Sequence, residues 1–208
     1  MLRNVIYISG SIIVFFAGLI IYGVILNLRE ETLSEAMKEK GISKVENVKL
    51  IVSRKNYRIE LYSDKKLVKT YKAVFGKNSG TNKTSAVDLV TPAGEYEICR
   101  LDTTRKYHKF LYLNYPNEKD AAEALKQNYI GKEEYDLIIS AHKKNVCPPI
   151  NTKLGAEIGI HGIGEYDFIF RNLPFTFNWT NGSIAVSNKN IDELYSIVKI
   201  GTPVKIIY

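Results

Sequence analysis

The segment Ile158-Gly159-Ile160-His161-Gly162 puts a histidine at the end of an apolar run, directly before a glycine. Ser183 comes 22 positions later, in Trp179-Thr180-Asn181-Gly182-Ser183-Ile184-Ala185-Val186. There a hydroxyl follows a glycine and leads into a second apolar run. A nucleophile on one strand and an imidazole on its neighbour is the geometry that acyl transfer needs. A glycine before the nucleophile lets backbone N–H groups turn toward a substrate oxygen, as an oxyanion hole requires. By residue type alone, the same pieces also read as a strand-end histidine and a glycine–serine turn.

Other chemistries find less support. Gly76 to Ser85 is rich in Gly, Lys, Ser and Thr, but Gly80 stands three residues from Lys83. A phosphate loop needs Gly directly before Lys, so this stretch reads as a solvated loop. The three histidines, His108, His142 and His161, form no HExxH, and no Cys-x-x-Cys occurs. No metal or organic cofactor is expected. Lys and Arg are scattered without aromatic interleaving, so no nucleic-acid partner is expected. Cys99 follows Ile98 on a predicted strand and reads as buried. Cys147 lies in a Pro-rich loop, where approach to the site and pairing with Cys99 both stay open.

The elements that must position these residues follow from pattern. The chain has 208 residues, 45% hydrophobic and 25% charged, with a net charge of +7. That balance excludes a disordered chain and a coiled coil, and two cysteines exclude a disulfide scaffold. The basic balance suits anionic surroundings without choosing among them. No charged residue occurs between Arg3 and Arg29, and Val5 to Leu26 is an apolar run rich in Ile, Val, Phe and Leu. As a helix this run spans roughly 33 Å, enough for a hydrocarbon core of about 30 Å. It is long for a cleavable signal, and its exit has no small-residue cleavage pattern. Residues 1–28 are therefore expected to be a transmembrane signal anchor, with membrane contact through 5–26. Flanking charges do not decide orientation, but long C-terminal domains translocate largely regardless of charge.

Residues 29–44 read as a short charged stalk helix stopped by Gly41. From 45 to 208 strands dominate: Lys49–Val52, Tyr57–Tyr62, Leu67–Phe75, Gly94–Cys99 and Phe110–Tyr115. Asn117 is expected to cap a helix ending at Gly131, and Tyr135, Ile138, Ile139 and His142 share one face of a second. His142 reads as structural. Asn188 is expected to cap a helix that Gly201 ends, before a last strand at Pro203–Tyr208. The fold class is α+β, β-rich, with a mixed sheet.

Ile160-His161-Gly162 and Thr180-Asn181-Gly182-Ser183, in this order, resemble the catalytic core of the L,D-transpeptidase family (YkuD-type domain). Thr91-Pro92-Ala93-Gly94-Glu95-Tyr96 and Lys199-Ile200-Gly201-Thr202-Pro203-Val204 resemble two further segments of that family. Leu113-Asn114-Tyr115-Pro116-Asn117 is similar to a segment of its murein-peptide amidase-like branch. The resemblance runs from about residue 48 to 208. It implies an envelope enzyme, outside the cytoplasmic membrane, acting by acyl transfer on peptidoglycan stem peptides. His161 is then the base and position 183 the nucleophile. Gly182 and Ser183 supply oxyanion N–H groups, and the Gly162 carbonyl orients His161. Trp179 and Asn181 contact substrate.

Two positions depart from the family pattern. Ser183 stands where the family has Cys, and a hydroxyl ionises far less readily than a thiol of pKa about 8.5. Ala185 stands where many members have Arg. The resemblance therefore leaves three readings: a transferase, a hydrolase of the same peptides, and a wall-binding relative that has lost its nucleophile.

Overall fold

The computed structural model describes residues 2–28, 30–173 and 175–208. Met1 and Arg29, at the ends of the expected anchor and stalk, lie outside the described residues. Helix α1, Leu2–Asn27, covers the apolar run and is the one described helix long and apolar enough to cross a membrane. It stands almost free of the rest of the chain.

Helix α2, Leu33–Glu39, is shorter than the expected 29–44 element. Its start is set by a capping box: Thr32 accepts from the Glu35 N–H, and Glu35 accepts from the Thr32 N–H. Gly41 follows the end at φ +64°, the left-handed conformation that glycine favours. This helix is docked, not a free stalk. Leu33 and Ala36 are buried, and the Leu33 N–H donates to the Glu193 carboxylate at 3.0 Å.

Eight strands form one sheet. They are β1 Val48–Ser53, β2 Arg58–Ser63, β3 Lys66–Lys72, β4 Gly94–Thr104, β5 His108–Leu113, β6 Gly159–Gly162, β7 Ile184–Val186 and β8 Pro203–Ile207. Their order is β3-β2-β1-β8-β4-β5-β6-β7. Most neighbours are antiparallel, but β1 with β8 and β6 with β7 run parallel. The chain beyond β3 closes the sheet toward a barrel. Val74 and Ala185 exchange both backbone hydrogen bonds at 2.9 Å. Period-two alternation decides which face is inside: on β2, Ile59 and Leu61 are fully buried while Arg58 is exposed. The core joins Leu50, Val52, Leu111, Ile160, Ile184 and Ile206.

Helices α3, Glu118–Lys126, and α4, Lys132–Lys143, form a hairpin. Asn117 caps α3 in a capping box with Asp120. Gly131 does not end that helix; it is the N-cap of α4, because Asn128, at φ +60°, has already turned the chain. His142 contacts the Pro116 carbonyl at 2.7 Å, a structural role. Cys147 forms a disulfide with Cys99 of β4, tying the hairpin to the sheet across 48 residues. Cys99 is thus a bridged cysteine, not a buried thiol.

Helix α5, Asp167–Arg171, follows a 3-10 turn at Gly164–Tyr166, and α6 is Asn188–Ile197. Ser187, not Asn188, caps α6 by accepting from the Asn190 N–H. The Asn188 side chain is engaged elsewhere. It accepts from the Gly164 N–H and donates to the Gly164 carbonyl, both at 2.9 Å. The loop expected to be solvated is also tied down. Lys83 is buried against Asp88 at 2.5 Å, and Asp88 accepts from the Thr84, Ser85 and Val90 N–H groups.

Candidate active site

His161 and Ser183 stand on neighbouring strands. In the parallel register, His161 pairs with Ala185 and Gly159 comes level with Ser183. Residues two apart on a strand share a face, so the imidazole and the hydroxyl face the same side on a diagonal. Both line one pocket with Tyr107, Phe110, Tyr112 and Trp179.

Four groups fix the imidazole. Nδ1 lies 2.7 Å from the Gly162 carbonyl, which only accepts, so Nδ1 carries the proton. Phe110 pairs with His161 across the antiparallel β5–β6 ladder and stacks on it, with centroids 5.2 Å apart. Tyr107 lies at 4.4 Å, and Trp179 meets the ring edge-on at 6.2 Å. His161 is 2% exposed. Burial disfavours the imidazolium and pushes its pKa down to about 4, with Lys106 adding to the effect and the Gly162 hydrogen bond opposing it. At neutral pH the ring is uncharged, and Nε2 offers a lone pair with no protein partner among the described residues.

Ser183 is not hydrogen-bonded to His161. Its Oγ accepts from the Gly159 N–H at 3.3 Å and lies 3.4 Å from the Glu157 carbonyl, to which it donates. The close serine–imidazole contact that catalysis requires is therefore not made. The Gly182 N–H, expected to face an oxyanion, instead donates to Thr180 Oγ1 at 3.2 Å. Thr180 is pinned in turn. Its N–H donates to the Phe75 carbonyl, and its own carbonyl accepts from the Lys77 N–H, both at 3.1 Å.

Glycines make the pocket possible. Gly182 sits at φ +123°, and a Cβ there would meet the Val90 carbonyl oxygen at 2.8 Å. A Cβ on Gly159 would lie 2.3 Å from the Phe110 ring. Asn181 is exposed at the pocket rim and Trp179 is half-buried in its wall. Ala185 is buried at the seam where Val74 closes the sheet.

Sequence reasoning did not find the aromatic wall. Phe110 and Tyr112 were legible as alternate residues of one strand, but only the β5–β6 register sets Phe110 against His161. Tyr107 and Glu157 carry no local signal of their own. Arg100 stacks 3.7 Å over Tyr112 and pairs with Glu157 at 3.4 Å, linking two residues of the pocket wall. No cluster of three His, Cys, Asp or Glu side chains converges among the described residues.

The sheet is mixed and nearly closed, and it carries a strand-end histidine beside a glycine–serine turn. The L,D-transpeptidase catalytic domain (YkuD) matches residues 47–206, and the chain belongs to this family. Among curated proteins, none matches the sequence. Solved structures share the fold at low identity. A variant of the helical cell shape determining protein Pgp2 from Campylobacter jejuni is 18% identical, with a TM-score of 0.50, over 84% of this chain and 54% of that one. Bdellovibrio bacteriovorus Bd1075 is 20% identical, with a TM-score of 0.49, over 78% of this chain and 48% of that one. An L,D-transpeptidase from Mycobacterium smegmatis is 10% identical, with a TM-score of 0.45, over 78% and 59%. The chain thus spans about half the length of the solved proteins it matches.

Proposed function

We propose that the protein acts on peptidoglycan stem peptides by acyl transfer, with His161 as base and Ser183 at the nucleophile position. One observation carries the reading: a neutral, carbonyl-oriented imidazole with a free Nε2 shares a pocket with Ser183. Ser183 Oγ attacks the carbonyl of the third stem residue while its proton passes to His161 Nε2. The tetrahedral oxyanion is met by the N–H groups of Gly182 and Ser183 once Gly182 leaves Thr180 Oγ1. The terminal D-Ala departs with the proton that Nε2 returns to its amine. An amine of a second stem, or water, then takes the acyl group. Trp179 and Asn181 contact the stem at the wall and rim.

Helix α1 is the membrane anchor in this reading, with residues 29–44 as its connection and 45–208 as the catalytic unit outside the cytoplasmic membrane. The Cys99–Cys147 disulfide supports that side, because such bonds persist in oxidising compartments. The wall-binding alternative draws on one fact: Ser183 Oγ is held by backbone groups and not by His161.

Intact-protein mass spectrometry with a tetrapeptide stem tests the proposal on the native chain and on Ser183→Cys. A thiol there ionises more readily than a hydroxyl, so the Cys form is expected to acylate much faster. Loss of D-Ala without a cross-linked product assigns hydrolysis. A folded Cys form that shows neither adduct nor turnover hands the site to the binding reading.

A further inference from the structure

The segment joining β6 to β7 exposes Tyr166, Phe168, Ile169, Phe175 and Phe177 on one short stretch of chain. A catalytic domain surrounded by water gains nothing from so many exposed apolar side chains together. Their position relative to α1 explains them. Asn27 is the first polar residue beyond the apolar run, so it marks the surface of the hydrocarbon layer. Its Nδ2 donates to the Arg171 carbonyl and to Asn172 Oδ1, both at 2.8 Å. The contact reaches further down the helix. A Cβ on Gly23 would lie 1.6 Å from the Asn172 carbonyl oxygen, so only glycine admits this approach. Gly23 is about 6 Å deeper than Asn27 along the helix. Phe175 is three residues from Asn172 and so lies within about 11 Å of it.

One buried polar side chain in this segment is satisfied in the way a lipid-facing stretch demands. Asn172 is 1% exposed, and its Nδ2 donates to the Phe168 carbonyl at 2.6 Å. Lys106 is exposed beside the aromatic side chains, where anionic headgroups attract cations; Arg105 and Arg171 are also exposed and pair with Glu165 and Asp167, each at 3.6 Å. The aromatic and basic mixture is that of a membrane interface.

We infer that residues 163–173 and 175–178 are a membrane-embedded wedge, seated in the headgroup and upper acyl region of the bilayer that α1 crosses. This rests on the proposal that α1 is a membrane span. The consequence concerns access. Trp179 lines the His161–Ser183 pocket and also the cavity formed with Gly23, Leu26 and Asn27. One side chain therefore separates the site from the end of the span. The pocket opens at the bilayer surface, and the stem peptides within its reach are those still carried on a membrane-bound precursor.

The test uses the full chain in vesicles of phosphatidylcholine with phosphatidylglycerol. Single cysteines are introduced for spin labels at Ile13→Cys on α1, Phe175→Cys and Phe168→Cys in the wedge, and Leu137→Cys on α4. Both native cysteines are held in the disulfide, which leaves the new thiol for labelling. Collisions with oxygen, which partitions into lipid, are compared with those of a water-soluble nickel chelate. The wedge labels are expected to favour oxygen and to report a depth of about 5–10 Å, the range of interfacial segments. The Leu137 label is expected in water. A lipid signal at Ile13 with a water signal at both wedge positions overturns the wedge and leaves the anchor standing. Water at Ile13 overturns the anchor itself. Wedge labels shielded from both probes indicate a protein partner or a second copy on this face, which also overturns the inference.

Discussion

β1 lies parallel to β8, and β6 lies parallel to β7, within the same sheet. In the first pairing Leu50, Val52, Val204 and Ile206 are all buried. In the second the strands are short, Gly159–Gly162 and Ile184–Val186, and glycines lie beside the reactive residues. Gly159 lets the Phe110 ring fold close to the strand, and Gly182 lets the chain turn at the Val90 carbonyl. The same local geometry thus serves packing where branched side chains fill the inner face. It opens a pocket where glycines stand in their place. Backbone pairing supplies the neighbourhood, and side-chain volume decides whether the neighbourhood is solid or hollow.

The largest expected difference between the pairings is in rate. His161→Gln keeps a polar side chain but removes the base, and acyl transfer by the native or Ser183→Cys chain is expected to fall about 10²–10⁴-fold. Ile206→Val, at the β1–β8 pairing, is expected to lower stability by about 0.5–1.5 kcal/mol and leave turnover per folded molecule unchanged. Equal effects of the two changes on turnover would falsify the division between packing and chemistry. Steady-state rates and thermal melts on both variants decide it.

Next comes the disulfide, which belongs to neither pairing. In the chain-entropy account, closing a 48-residue separation contributes about 4 kcal/mol. Paired Cys99→Ser and Cys147→Ser substitutions are expected to lower the melting temperature by roughly 8–16 °C. A melting temperature unchanged within error on substitution or reduction would show that the hairpin of α3 and α4 is held by other contacts.

Gly182→Ala sharpens the comparison from inside the site. Its φ of +123° and the nearby Val90 carbonyl both oppose a Cβ, and the strain is expected to be about 1–3 kcal/mol. The matched change on the packing side is Gly201→Ala, before β8, where φ is +84° but no atom lies within 4 Å. It should destabilise less. If denaturant titrations rank the two the other way, the close approach at Val90 is not what selects glycine.

A further effect is in pH. The folded pKa of His161 is about 4, below its ordinary value of 6.5, so between these values the unfolded chain binds a proton that the folded chain refuses. This contribution to stability is complete above pH 6.5 and is lost as pH falls from 6.5 toward 4. Melting temperatures of native and His161→Gln chains are expected to converge across that window. A gap that stays constant from pH 7 to 4 argues against a buried, neutral imidazole.

Local signals located much of this protein. The uncharged run is a helix because nothing within it interrupts one. Asn117 caps α3 because its side chain replaces a missing backbone partner, a feature complete within four residues. His161, Gly162, Gly182 and Ser183 stood out because their order and types match a chemical task. Signals that depended on a competing neighbour misled. Gly131 reads as a helix stop, but Asn128 had already turned the chain, and Asn188 reads as a cap, but Gly164 claims its side chain.

The sequence by itself determined what can be written along one stretch of chain: an apolar span, alternating strands, caps, and a histidine and a serine in family order. Only the tertiary structure decided what those residues meet. The β5–β6 register brought Phe110 onto His161, and burial made the imidazole neutral. It also joined Cys99 to Cys147 and laid Asn172 against Gly23. These contacts link residues tens to more than a hundred positions apart, and no local propensity encodes a partner that far along the chain. They follow instead from strand register and from which side chains leave room for others.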